Sequence, residues 1–213
     1  MNTLLEQTPS KPGTALIFGG PHGAGKDTIA AKFAETVPGV ERIVRHITRA
    51  PAENEQEGQD YFFVNEATFD QMAGDGEFIE HAAFPGVKSG TTLREIREKT
   101  VRACFSTLTA NFEDGLNLHK NLRTVGIASI CLFVSPCSEQ EMTDNPSKYL
   151  SLLRARMNNR ARGSDHIEGR LQMATRYREL YLANAAEVNY IENQDGQLSR
   201  ALQQVAQAVL RQF

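Results

Sequence analysis

Gly20-Pro21-His22-Gly23-Ala24-Gly25-Lys26-Asp27-Thr28 lies between an apolar run, Ala15-Leu16-Ile17-Phe18, and a segment with helical character, Ile29 to Thr36. Strand, glycine-rich loop and helix in that order form an anion cradle. Glycines let backbone N–H groups turn inward around phosphates, and the helix start adds its positive dipole end. Lys26 supplies a full charge for the terminal phosphates of a nucleoside triphosphate. Gly20, Gly23, Ala24, Gly25, Lys26, Asp27 and Thr28 are therefore the expected phosphate-binding residues, with Lys26 also catalytic. An ordinary glycine-rich turn is the rival reading, and the flanking strand and helix and the extra Gly23 weigh against it. The strict pattern ends Gly-Lys-Ser/Thr, where the hydroxyl ligates Mg²⁺. Here Asp27 takes that place. A carboxylate is also a hard oxygen ligand but adds negative charge near the phosphates, so Mg²⁺ at Asp27, with Thr28 beside it, is expected in an altered geometry.

Length and composition bound the rest. The chain has 213 residues, 40% of them hydrophobic, and a net charge of −3. That suits one domain or a compact core with small inserted lobes, and the acidic balance argues against a nucleic-acid partner. No run of 18 apolar residues offers a membrane span. Met1–Gly13 is polar, carries two prolines and has no apolar signal core, so a flexible leader and a cytoplasmic location are expected. Cys104, Cys131 and Cys137 make no Cys-x-x-Cys spacing. Cys104 and Cys131 fall in strand-like runs, where buried structural thiols in a reducing compartment are expected.

Short β-branched runs alternate with helical patterns. The strand candidates are 15–18, 42–46, 101–107, 128–134 and 188–191. The helix candidates are 26–36, 92–99, 113–122, 138–159, 167–184 and 198–210. Such alternation predicts an α/β fold with a parallel sheet covered on both faces, and ligands at the carboxyl ends of its strands. Residues 47–91 break the alternation and read as an inserted lobe. Between Leu150 and Arg170 the chain carries Arg154, Arg156, Arg160, Arg162 and Arg170 but no lysine. A solvated basic helix is the plain reading, and the exclusive use of Arg favours bidentate phosphate contacts.

These residues together resemble a known family. The phosphate loop, Ile47-Thr48-Arg49-Ala50-Pro51, Glu57-Gly58-Gln59-Asp60-Tyr61-Phe62-Phe63-Val64, Gly76-Glu77-Phe78-Ile79-Glu80 and Ser89-Gly90-Thr91 resemble guanylate kinases in order and spacing. Arg156-Met157-Asn158-Asn159-Arg160 and Ile167-Glu168-Gly169-Arg170-Leu171 look like that family's lid arginines. The resemblance implies a P-loop NTPase three-layer fold, with a core at 14–46 and 92–213, an acceptor-binding lobe at 47–91 and an arginine-rich lid at about 150–166. It implies an ATP-dependent kinase whose acceptor already bears a phosphate, with Mg²⁺ as cofactor and a monomer or homodimer as the assembly. Arg49 and Tyr61 would hold the acceptor phosphate, Glu80 would meet a guanine edge, and Arg156, Arg160 and Arg170 would clamp the transferring phosphates.

The departures from that pattern are specific. Arg45 stands where the family has a serine for guanine, Ile47 replaces a threonine, Ala52 an arginine and Ser89 a tyrosine. The strand Cys104-Phe105-Ser106-Thr107-Leu108-Thr109 lacks the family's carboxylates. Gly25-Lys26-Asp27, Arg45 to Arg49, Cys131 to Pro136, Ala174 to Tyr177 and Asn193-Gln194-Asp195-Gly196-Gln197-Leu198 look instead like ribose 1,5-bisphosphate phosphokinase. Arg45 and Ser89 are accordingly expected at the acceptor, with Arg45 reading a second acidic group. A catalytically silent guanylate-kinase-like module that binds protein partners is the rival of another class. Such modules tend to lose the phosphate loop, and this chain keeps Gly20, Gly25 and Lys26.

Overall fold

A computed structural model describes residues 13–84, 86–159 and 166–211. The elements run β1 (Thr14–Gly19), α1 (Lys26–Thr36), β2 (Val40–Arg42), β3 (Arg45–Ile47), β4 (Tyr61–Phe63), α2 (Glu66–Gly74), β5 (Phe78–Phe84), β6 (Val87–Thr92), α3 (Leu93–Arg102), β7 (Phe105–Thr109), α4 (Phe112–Thr124), β8 (Ser129–Ser135), α5 (Glu139–Asp144), α6 (Pro146–Asn158), α7 (Ile167–Asn184), β9 (Asn189–Glu192) and α8 (Leu198–Leu210). A five-stranded sheet has the order β2-β7-β1-β8-β9 and a four-stranded sheet the order β4-β3-β6-β5. In the larger sheet β2 runs parallel to β7 and β8 parallel to β9. The expected α/β architecture with a parallel sheet is what forms. Its strands β1 and β8 are nearly continuous apolar runs because both of their faces are buried. By chain contacts the protein divides into two compact units. One holds the described residues up to Leu16 with Val37–Leu108 and Asn117–Ser129; the other holds Ile17–Thr36, Thr109–Leu116 and the residues from Ile130 onward.

In the second unit an aromatic cluster forms the core. The Phe133 ring lies 4.7 Å from Phe112 and 4.8 Å from Tyr181, and Tyr181 lies 5.3 Å from Tyr190. The two phenols bury their rings and still satisfy their hydroxyls: Tyr181 donates to Glu139 Oε1 at 2.6 Å and Tyr190 to the Cys137 carbonyl at 2.8 Å. Burial pushes both phenols well above their ordinary range. The single helix expected over 138–159 is two helices. Asn145, restricted by the following Pro146, leaves the helical region (φ −132°, ψ 71°) and caps α6 by accepting from the Lys148 N–H. Ser138 caps α5 in the same way.

In the first unit the strand expected over 42–46 splits between the two sheets. The Ile43 N–H still bonds Thr107 O of β7, the Val44 N–H is taken by the buried Glu95 carboxylate of α3 at 3.1 Å, and the chain then enters β3. The strand expected over 101–107 starts later, because α3 runs on to Arg102 with Lys99 and Arg102 in its last turn, a favourable place for cations. Cys104 therefore sits between helix and strand and is exposed, against the expectation of burial, whereas Cys131 in β8 is buried. In the four-stranded sheet, Phe69 of α2 stacks on Phe78 at 4.5 Å and covers one face. No helix among the described residues is long and apolar enough to cross a membrane.

Phe133 is fully buried at the centre of its cluster. Phe133→Ala is expected to cost about 3–5 kcal/mol, read as a lower urea midpoint with an unchanged slope.

Candidate active site

The phosphate loop follows β1 and opens into α1. Gly20 has φ +150°, and a Cβ there would lie 2.6 Å from the Val134 carbonyl oxygen. Gly23 and Gly25 have φ of +84° and +88°, a region that side chains disfavour. The Ala24 N–H donates to Pro21 O at 3.3 Å, and the Ile29 N–H to Gly25 O at 3.1 Å begins the helical ladder. Lys26 is the first residue of α1, and Asp27 and Thr28 are exposed in its first turn. Gly23, Gly25, Thr28, Arg156, Asn193 and Asp195 line an open cavity of about 460 Å³, a size suited to a small-molecule ligand. Among the described residues no three His, Cys, Asp or Glu side chains form a metal cage. Thr28 lines the cavity and Asp27 is exposed outside its lining; a hydroxyl and a carboxylate in the first turn of α1 are the hard-oxygen groups that suit Mg²⁺, which takes one or two protein oxygens and completes its shell with water and substrate phosphate.

The described arginines of 150–170 lie in different settings. Arg154 pairs with Glu168 on the surface. Arg156 turns inward: Nη1 approaches Gly23 O and Ala24 O, each at 3.4 Å, while Nη2 donates to Asn193 O at 2.6 Å and Asp195 Oδ1 at 2.7 Å. Arg170 is half-buried on α7, and Arg160 and Arg162 lie outside the described residues. Asn193, just beyond β9, is a site residue that the sequence motifs do not single out. Its Nδ2 donates to Ala24 O at 2.7 Å. An Asn-x-Asp-Gly sequence directly after a strand was the available signal.

The expected acceptor residues gather in the four-stranded sheet. Register places Arg45 beside Tyr61 and Glu80 opposite Thr91, and the β3–β6 pairing of His46 with Gly90 brings Arg45 to Thr91. Tyr61, Arg45, Thr91 and Glu80 thus form one row across one face, with Ser89 in the next row against Ile47 and Ala82. Arg45 Nη2 bonds both Glu80 oxygens at 3.1 and 3.0 Å, and Arg45 Nε bonds Thr91 Oγ1 at 3.3 Å. All three residues are buried. Glu80, expected to meet a base edge, is buried. Arg49 forks onto Glu55 at 2.6 and 2.7 Å, with its guanidinium carbon 5.2 Å from the Tyr61 ring centroid. The Glu55 carboxylate holds the Arg49 guanidinium above its ordinary range.

The guanylate kinase family model matches residues 12–204. The chain belongs to the guanylate kinase family. It is 40% identical over 91 residues to the guanylate kinase of Thiobacillus denitrificans, an overlap of 43% of this chain and 44% of that protein. It is 32% identical over 130 residues to that of Koribacter versatilis, covering 61% of this chain and 54% of the relative. The chain thus spans about half the length of these curated relatives. A crystal structure of guanylate kinase from Anaplasma phagocytophilum shares the fold, with a TM-score of 0.64 and 20% identity over 94% of this chain and 86% of that one.

Removing one member of a buried pair strands the other charge, at about 3–5 kcal/mol. Arg45→Met and Glu80→Leu are each expected to destabilise by that amount, and the double variant to recover most of it. Urea denaturation of the three proteins checks this; additive losses would show that the pair is not coupled.

Proposed function

We propose that the protein is an ATP-dependent kinase that transfers the γ-phosphoryl group to the phosphate of GMP or a related nucleoside monophosphate. The observation that carries this reading is the intact phosphate loop. Its glycines adopt positive φ and Lys26 opens α1, an arrangement a silent module has no need to keep. The family relationship supports a purine monophosphate as acceptor.

In this reading an acceptor phosphate oxygen attacks the γ-phosphorus in line, the bond to the β–γ bridging oxygen breaks, and ADP leaves with that electron pair. Lys26 offsets charge on the transferring group, assisted by Arg170 and Arg160. Arg49 and Tyr61 hold the acceptor phosphate. Asp27, with Thr28, would hold Mg²⁺, which when bound neutralises the β- and γ-phosphates. The work of the chain is positioning and charge compensation, without a covalent enzyme intermediate.

The Arg45–Glu80 pair favours a second reading, in which the acceptor is a sugar bisphosphate such as ribose 1,5-bisphosphate. A carboxylate already bridged by a guanidinium is a weaker acceptor for a base N–H. A coupled ADP-release assay with Mg·ATP separates the two. Turnover with GMP above other acceptors is expected on the first reading; turnover confined to ribose 1,5-bisphosphate would establish the second; ADP release with neither would overturn both.

Lys26→Ala is expected to lower kcat by about 10²–10³-fold with the fold retained by circular dichroism. Asp27→Ala is expected to raise the half-saturating Mg²⁺ concentration about tenfold. An unchanged Mg²⁺ titration would remove Asp27 from the metal site.

A further inference from the structure

Two peptide carbonyls of the phosphate loop, those of Gly23 and Ala24, face protein donors. Ala24 O receives Asn193 Nδ2 at 2.7 Å and lies 3.4 Å from Arg156 Nη1, which is equally distant from Gly23 O. A carbonyl can only accept, so the Asn193 amide must present its nitrogen. Asn193 is itself fixed at the backbone: its N–H donates to Ser135 O at the end of β8 at 2.7 Å, and its carbonyl accepts from Arg156 Nη2 at 2.6 Å. A single guanidinium therefore spans Gly23, Ala24, Asn193 and Asp195. The approach is so close that a Cβ on Gly25 would lie 2.2 Å from Asn193 Nδ2, a position only glycine can occupy.

In a trans peptide the C=O and N–H point to opposite sides of the plane. Holding Ala24 O toward Asn193 and Arg156 thus turns the Gly25 N–H the opposite way, away from those two side chains. We infer that Asn193 and Arg156 are positioning residues that hold the Ala24–Gly25 peptide in its phosphate-receiving orientation. Arg156 then acts on the phosphates through the loop rather than by direct contact. Without the brace, the freedom of Gly25, at φ +88°, lets this peptide rotate, and amide orientation must be fixed at the moment of binding, which weakens affinity.

The inference rests on the loop being a triphosphate site, and the test separates the two. Inorganic tripolyphosphate, which has no base, and ATP are titrated into the full-length wild type, Asn193→Ala and Arg156→Gln by calorimetry with Mg²⁺. Absence of binding by the wild type would defeat the triphosphate reading and the inference with it. If the wild type binds, Asn193→Ala is expected to weaken tripolyphosphate and ATP alike by about tenfold, with an unfolding midpoint close to the wild type. Arg156→Gln, which removes the same brace from the other side, is expected to do likewise and keeps the test available should Asn193→Ala fail to fold. Unchanged tripolyphosphate affinity in the folded variants would overturn the inference. So would a loss confined to ATP, which would make Asn193 a contact for the base.

Discussion

Everything in this protein turns on the backbone of the phosphate loop. A loop that presents amides to an anion must bend against ordinary side-chain preference, and here three surroundings close in on its glycines. The Val134 carbonyl stands against Gly20, Leu153 and Met157 of α6 against Gly23, and Asn193 against Gly25. Each neighbour belongs to a different element, so β8, α6 and the β9–α8 connection all have to be in place before the loop has its shape. The aromatic cluster of Phe112, Phe133, Tyr181 and Tyr190 ties β8, whose end stands against Gly20, and β9, which leads into Asn193, to α4 and α7. Core packing and the anion site are one constraint seen from two sides.

The four-stranded sheet follows a different logic. Its face is polar and buried: Arg45, Thr91 and Glu80 join in a row that no water solvates well. Burying two charges costs several kcal/mol per ion, and the contact of Arg45 Nη2 with both Glu80 oxygens, with the added Thr91 hydroxyl bonds, offsets this without large net gain. Such a row is poor value as stabilisation and good value as specification. It pins the register of three strands, because a one-residue slip would place Arg45 and Glu80 on opposite faces.

Legibility in the sequence tracked distance along the chain. The helices expected at 26–36, 167–184 and 198–210 have those limits in the structure. The break at Asn145–Pro146 was also local, and a proline inside a helical pattern was its signal. The division of 42–46 between two sheets was not legible, since it depends on Glu95 taking the Val44 N–H from 51 residues away. The phosphate loop could be read from one stretch of residues. The partners that orient it could not: Arg156 and Asn193 reach Gly23 and Ala24 across 133 and 169 residues. In the same way the motif marked Arg45 and Glu80 separately, and only strand register shows that each is the other's partner.

One pattern links the two units. Arginines of both are engaged internally by carboxylates: Arg45 by Glu80, Arg49 by Glu55, Arg156 by Asp195, Arg154 by Glu168 and Arg176 by Glu113. Clustered cations with no counter-charge would repel one another and raise the cost of the folded state. An internal carboxylate removes that cost and, at Arg49, lays out the fork in the planar geometry a phosphate also uses. On the proposed function, a phosphate arriving at Arg49 meets a side chain already ordered by Glu55 and by the Tyr61 ring, so little rotamer entropy is lost on binding. It must also share or displace Glu55, which lowers affinity for any anion that cannot match two parallel N–H bonds. Ordering without a ligand thus trades raw affinity for selectivity toward bidentate anions, and the same exchange applies wherever a carboxylate holds an arginine ready.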